Sequence, residues 1–267
     1  MIAFAGMAIG GLYHSFDRYD RLPDIAQSYP DTIKAMLESR QFDEAAVQMR
    51  TALMIESGGS FPEAQLEMSL GNAMASHDAL PQAVHHFRQA VEIDPEFAKA
   101  HYALGVAIAR QGNYHTAESH FQKARQLDEN YAAPYYGLGK LYEARNETAA
   151  SIEHFKKAVA LFEKALPKQE NQGSDLEPDN MAFAGAYNTL AVAAFSSGDF
   201  KTALAHIQKA LAMNANYAEA HNNAGLIYLQ LGEPDKALDH LETALRINPQ
   251  FQQARQHLEA TRRMLQQ

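Results

Sequence analysis

The side chains best able to do chemistry in this 267-residue chain are its 12 histidines, and five of them share one sequence frame. His86, His120, His154, His206 and His240 each stand directly before a large apolar residue: Phe87, Phe121, Phe155, Ile207 and Leu241. Imidazole can serve as a general base, a metal ligand or a charge switch near neutral pH. Geometry opposes a metal ladder along this column. Equivalent helices pack on the order of 10 Å apart, whereas zinc needs its ligand nitrogens within ~2.1 Å of one ion. His85 and His86 are adjacent, which points them to different faces of a helix. The column therefore reads as a half-buried spot that a flat amphipathic ring fits. GxxxxGK[ST], GxSxG and HExxH do not occur in the sequence, and it has no cysteine nucleophile. Paired carboxylates fall on polar helix faces, where solvation is their default role. The expectation is a protein that is not an enzyme, with no catalytic residue, no metal site and no cofactor.

The elements that carry these histidines repeat. Registers open at Ala64, Ala98, Ala132, Ala184 and Ala218; three spacings are 34 residues and the fourth is 52, an insertion of 18. Aligned in this frame, one column runs Leu70, Leu104, Leu138, Leu190, Ala224 and the next Gly71, Gly105, Gly139, Ala191, Gly225. Met74, Ile108, Tyr142, Ala194 and Tyr228 follow at helical spacing. A second stripe is small, large, small: Ala83, Ala117, Ser151, Ala203, Ala237, then the large residues after the histidines, then Ala90, Ala124, Ala158, Ala210, Ala244. Turn formers separate the stripes at Gly112-Asn113, Gly198-Asp199 and Gly232-Glu233-Pro234. Each unit is a helix–turn–helix that cannot bury its stripe alone, and stacking buries it.

These columns, with Pro95 and Pro249 closing two units, resemble the tetratricopeptide repeat. The resemblance covers residues 64–251 outside the insert. It implies an all-α, right-handed superhelical solenoid of about seven helix pairs or fewer, with no strand. Before it lies a degenerate repeat over 26–63, in which Phe42, Ala45, Met49, Ala52 and Ile55 predict a helix at 43–56 with a partner at 31–40. The register then slips by four across ESGGSFPE, read as a loop. Residues 252–267 continue as an amphipathic capping helix with Ala254, Leu258 and Leu265 inward. In the insert, at about 165–182, VALFEKAL prolongs the preceding helix and the polar PKQENQGSDLEPDN reads as a mobile loop.

In this family the first helix of each repeat lines a concave face where peptides dock. The resemblance thus implies a protein-interaction scaffold holding a peptide or partner segment in that groove. The alternative is a non-catalytic subunit of an enzyme or of a secretion or envelope assembly. The implied groove has two zones. Lys99, Arg110 and Lys140 with Tyr102 and Tyr136 suit an acidic or carboxylate-bearing segment. Asn188, Asn222 and Asn223 suit a peptide backbone, because an amide both donates and accepts. Asn72 and Lys99 match the carboxylate clamp of the chaperone-binding subfamily, but Met68 and Ala103 depart from it, so chaperone C-termini are not assigned as the ligand.

The formal net charge of −9 makes nucleic acid an unfavourable partner. The lack of cysteine excludes disulfides and thiolate metal sites without fixing a compartment. Residues 1–25 open with the uncharged stretch IAFAGMAIGGLY at 2–13. As a helix it would span roughly 18 Å, short of the ~30 Å hydrocarbon core, and no basic residue precedes it. Three readings stay open: a helix packed on the first repeat, the stub of a membrane anchor, or a cleaved signal. The repeats are expected in a soluble compartment, cytoplasmic or tethered to a membrane through 2–13.

Overall fold

A computed structural model describes residues 31–56, 62–165 and 177–266, with the side chains of 177–182 left aside. The apolar stretch at 2–13 and most of the insert's polar part lie outside the described residues. Among the described residues there are thirteen α-helices and no strand. They are α1 (Asp31–Glu38), α2 (Phe42–Glu56), α3 (Glu63–Ser76), α4 (Leu80–Ile93), α5 (Ala98–Arg110), α6 (Tyr114–Leu127), α7 (Ala132–Ala144) and α8 (Thr148–Ala165). Then follow α9 (Glu177–Ser196), α10 (Phe200–Met213), α11 (Ala218–Gln230), α12 (Pro234–Ile247) and α13 (Gln252–Leu265). The chain divides into two compact units, residues 1–154 and 155–267, with the boundary inside α8.

A single backbone device sets each helix pair. The turn between first and second helix needs one residue with positive φ. It is Gly112 (φ +84°), Gly198 (+82°) and Gly232 (+76°) in three repeats, and Asp78 (59°) and Asn146 (62°) in two others. Glycine adopts this conformation without steric cost, and Asp and Asn tolerate it. Arg40 (φ 60°) holds the same place between α1 and α2. Counting back from it places the degenerate repeat's first residue at 26, in agreement with the four-residue register slip before Ala64.

A second device ends each second helix. The Oδ1 atoms of Asp94, Asp128, Asn214 and Asn248 accept from the backbone N–H two residues on, at 2.9–3.1 Å. These Asx turns recur in the 34-residue frame and aim the chain at the next first helix. The repeat at 132 has Phe162 in that place. With no Asx turn to stop it, α8 runs on to Ala165. Phe162 then stacks on Phe183 of the lengthened α9, ring centroids 4.0 Å apart. The sequence predicts a loop through Asn180, whereas α9 begins at Glu177. Its first turn reads EPDN, and both Pro and acidic residues are favoured there.

The columns are the core. The small residues at 83, 117, 203 and 237 and the alanines at 90, 124, 158, 210 and 244 are all fully buried, as are Phe121, Phe155 and Leu241. The glycine column is a contact requirement. A Cβ built on Gly71 would lie 2.5 Å from Phe87, and one on Gly225 2.7 Å from Leu241. Phe121 is wedged between Gly105 of its own repeat and Gly137 of the next, each of which leaves room for its ring. In α13 the column's place is taken by Glu259. A second helix packed on α13 would meet this charge where most other first helices offer a glycine. The inward residues of α13 are Ala254, Leu258 and Thr261, while Leu265, expected inward, is 46% exposed because it sits in the last turn beyond α12.

Candidate functional site

In the first unit, α5 and α7 carry the expected basic and aromatic residues. Lys99 is exposed in the opening turn of α5. Arg110, at the other end of that helix, donates from Nη2 to Oδ1 of Asp78 at 3.1 Å. Asp78 is 72% exposed at its side chain and belongs to the α3–α4 turn. Lys140 of α7 donates to Glu143 one turn on, at 2.5 Å. The two tyrosines are placed differently from what a ligand anchor requires. Tyr102 and Tyr136 are each 1% exposed. Tyr102 packs against Phe121 and edge-on to Tyr131, both centroid separations being 5.6 Å. In this structure both rings serve the core beneath the first-helix face. The neighbouring fifth-residue place of the first clear repeat is Met68, likewise 1% exposed, so this depth is common to the position.

In the second unit, the three asparagines form a buried ladder. Counting from each register residue, the fifth place of one repeat meets the sixth place of the next. Asn223 Nδ2 donates to Asn188 Oδ1 at 2.9 Å, and His257 Nδ1 donates to Asn222 Oδ1 at 2.8 Å. Asn222 Nδ2 reaches Asn223 Oδ1 at 3.4 Å and joins the two rungs. Asn188, Asn222 and Asn223 are 3%, 3% and 8% exposed. The ladder ties α9, α11 and α13 together through their first-helix faces. His257 escapes a reading of the five-histidine column, because it sits in another place of the frame; its 35-residue offset from Asn222, equal to that of Asn223 from Asn188, is the signal that finds it.

The histidine column has partners that the column alone conceals. Each member lies 19 residues after the fourth place of its repeat, counted from the register residue: Glu67, His101, Tyr135, Tyr187 and His221. Every one of these pairs is in contact. Glu67 is buried and accepts from His86 at 2.8 Å while its other oxygen holds Arg50. His154 faces Tyr135 and stacks on Tyr142, and His206 lies against Tyr187. In the other two repeats histidine meets histidine: Nδ1 of His101 and His120 are 3.2 Å apart, and those of His221 and His240 are 2.9 Å apart. Burial pushes His120, His154, His206 and His240 below the ordinary imidazole range, with a neighbouring cation or imidazole adding to it in each. Among the described residues no three His, Asp or Glu side chains gather closely enough to hold a metal ion.

Two carboxylate clamps brace successive repeats. Glu118 accepts from Tyr142 Oη at 2.6 Å and Arg145 Nη1 at 2.7 Å. Burial opposes its charge, yet these bonds hold its carboxyl below the usual range. Glu163 accepts from Tyr187 Oη at 2.6 Å and from Lys209. Burial and that bond to a carboxylate drive the Tyr187 phenol well above its ordinary value. Both clamps join neutral and charged donors to one acid, which is the chemistry of a structural brace.

Comparison with known proteins places these features in a family. Family profiles described as "Tetratricopeptide repeat" match residues 96–164 and 188–250, and one described as "TPR repeat" matches 71–112. No curated protein matches in sequence. Among solved structures, the chain is similar to YrrB, described as a TPR protein with an unusual peptide-binding site, at 22% identity and a TM-score of 0.50, covering 77% of this chain and 95% of that one. It is similar to pilF of Pseudomonas aeruginosa at 16% identity and a TM-score of 0.55, covering 74% and 88%. MamA of Desulfovibrio magneticus RS-1 gives 17% identity and a TM-score of 0.51, covering 72% and 98%. At these identities the likeness is one of fold. Among the described residues no helix is long and apolar enough to cross a membrane.

Proposed function

Because this chain belongs to the tetratricopeptide-repeat family, we propose that it is a non-catalytic scaffold whose first-helix faces hold an extended segment of a partner protein. The general role, protein–protein interaction, follows from the family and from the all-α repeat fold. The finer reading is that the face built by α5 and α7 takes a carboxylate-bearing segment. One observation carries it. Lys99, Arg110 and Lys140 lie on neighbouring first helices in a chain of net charge −9, and two of them already hold carboxylates, Arg110 that of Asp78 and Lys140 that of Glu143. Asp78 is exposed and Glu143 half-buried, so an incoming acid can exchange with them. The acidic remainder of the chain would orient an approaching segment by steering. In the second unit, the asparagines of the Asn188–Asn223 and Asn222–His257 rungs are buried like Tyr102 and Tyr136, so they position the first-helix faces of α9, α11 and α13 against which a peptide backbone would lie.

Titration of a co-purified partner fragment tests the reading. Lys99→Glu is the cleanest variant, because that side chain is exposed and the core is untouched. Lys99→Glu and Arg110→Glu should each weaken binding several-fold, and wild-type affinity should fall as salt rises. Asn222→Ala should weaken ligands of different sequence by a similar factor. Melting curves must accompany it, since it also removes the His257 bond. Unchanged affinity in all three variants would move the site away from these faces.

A further inference from the structure

Two of the five histidine contacts have a property the other three lack: both partners are imidazoles, and they face one another through the same atom. The first-helix rings define the proton's place. His101 Nε2 lies 3.1 Å from the carbonyl oxygen of Pro95, and His221 Nε2 lies 3.1 Å from that of Ala215. A carbonyl can only accept, so each Nε2 carries hydrogen, and a neutral ring then presents a bare Nδ1. The facing Nδ1 of His120 or His240 must therefore donate. Each centroid separation, 5.4 and 5.1 Å, exceeds its nitrogen–nitrogen distance, 3.2 and 2.9 Å, by about 2.2 Å. That excess is the depth of two ring radii, so the nitrogens meet head-on. A shared metal would need lone pairs converging beside the line between them. Each pair is a single N–H···N bridge.

Protons act on this bridge in two steps. A first can enter at the outer Nε2 of His120 or His240. The bridging hydrogen stays in place and the bond becomes charge-assisted. A second has one remaining site, the Nδ1 of His101 or His221, which is the acceptor of the bridge. Its arrival sets two N–H groups face to face and two like charges in contact. We propose that the two histidine bridges are acid-operated latches, each accommodating one added proton and released by a second, which frees α5 from α6 and α11 from α12.

The surroundings favour release over accommodation. His101 is 7% exposed, and Tyr228 stacks on His240 at 5.3 Å, so neither dication is well solvated. Around the first bridge, α4 presents Arg88, the turn after it Asp94, and α6 Lys123. Around the second, α12 presents Asp239. Asp94 and Asp239 are the carboxylates that bear on His101 and His240, and neither accepts a hydrogen bond from a bridge ring as Glu67 does from His86. Burial, and after it the facing ring, lowers His120 and His240. The sign follows. For His101, His120 and His240 the unfolded chain takes the proton near ~6.5 and the folded one below that, so the stability these rings contribute is complete above ~6.5 and is lost as pH falls. The repeat with Glu67 facing His86 provides an internal control, because there protonation creates an ion pair.

The experiment uses the full chain without ligand. At about pH 7.5, ¹⁵N spectra should show His101 and His221 as Nε2–H tautomers, His120 and His240 as Nδ1–H tautomers, and scalar coupling across both bridges. Toward about pH 4.5 the coupling should vanish. Amide exchange protection in α5, α6, α11 and α12, corrected for intrinsic rates, should fall at least about tenfold more than in α3 and α4. In His101→Asn and His221→Asn, Oδ1 takes the place of Nδ1 as an acceptor that does not titrate. Those helix pairs should then keep their protection in acid to within about twofold. Coupling that persists at low pH, or Nε2–H tautomers on all four rings at neutral pH, would overturn the proposal, and both are read on the wild-type chain. Since α5 carries Lys99 and Arg110, proposed to hold a ligand, acid should also release it. That consequence rests on the binding reading; the exchange experiment does not, so either can fail alone.

Discussion

Replacing Gly71 by Ala sets two energies of opposite sign against each other. In a helix interior Ala is favoured over Gly by about 1 kcal/mol. Yet the new Cβ would lie 2.5 Å from both Cδ1 and Cε1 of Phe87, and 3.1 Å from its Cγ. Phe87 is 3% exposed, so its ring has nowhere to turn, and α3 and α4 must part by nearly an ångström. Overpacking of this kind costs about 1–3 kcal/mol. The expected net effect is a loss of up to about 2 kcal/mol after the propensity gain. Gly137→Ala is the graded comparison: its Cβ would meet Phe121 at 3.0 Å, and the two energies should nearly cancel. Nature supplies a control at Ala191, the one non-glycine in the column of the five clear repeats, whose repeat carries Ile207 where the others carry Phe or Leu. A double-mutant cycle of Gly71→Ala with Phe87→Ile should therefore show a favourable coupling of about 1 kcal/mol. Urea and thermal melts followed by circular dichroism, fitted with a nearest-neighbour repeat scheme, provide the measurement. If Gly71→Ala stabilised the chain and showed no coupling to residue 87, close approach would not be the reason for the column.

Arg40→Gly should stabilise the chain by about 1 kcal/mol in urea melts, because a bulky side chain at φ 60° gives way to one without strain. Ser151→Ala should gain up to about 1 kcal/mol; the hydroxyl is buried without a hydrogen-bond partner among the described residues, and the other repeats already carry Ala there. Deleting residues 252–267 should uncover the apolar face beneath Ala254 and Leu258 and lower solubility, measured by light scattering on concentration. Tyr142→Phe should flatten the acid limb of the stability curve: Glu118, depressed by Tyr142 and Arg145 against its burial, contributes stability present above ~4.3 that is lost as pH falls through its folded value.

The periodic part of this fold was legible because each column answers to one steric need. Leu-Gly permits a close helix crossing, and small–large–small fills it. The 34-residue frame even extends to features outside the family pattern, such as the positive-φ residue shared by Arg40 and Gly232 or the Asx turn shared by Asp94 and Asn248. The helices expected at 43–56 and 31–40 appear as Phe42–Glu56 and Asp31–Glu38. The insert was harder. Its helix-forming tail EPDN resembles a turn in composition, and only the lengthened α8 and its Phe162–Phe183 stack give α9 something to continue against.

Contacts between columns were the less legible part, and the reason is physical. A column reports what one position tolerates, while chemistry depends on what two positions do together. Histidine recurs at the 86 column because a half-buried slot accepts a flat ring, and that slot is common to five repeats. Its partner, 19 residues earlier, varies from Glu67 to His101 to Tyr135, so one residue type has three different chemistries: ion pair, proton bridge and ring contact. The same holds for the first-helix face. Fifth-place residues looked like ligand anchors one by one, yet Tyr102 packs on the core while Asn222 bonds the sixth place of the following helix. Repetition fixes the scaffold by making neighbours equivalent. Function in such a scaffold must come from where equivalent neighbours carry unlike residues, and those places are found by reading the frame at offsets of 19 and 35 as well as 34.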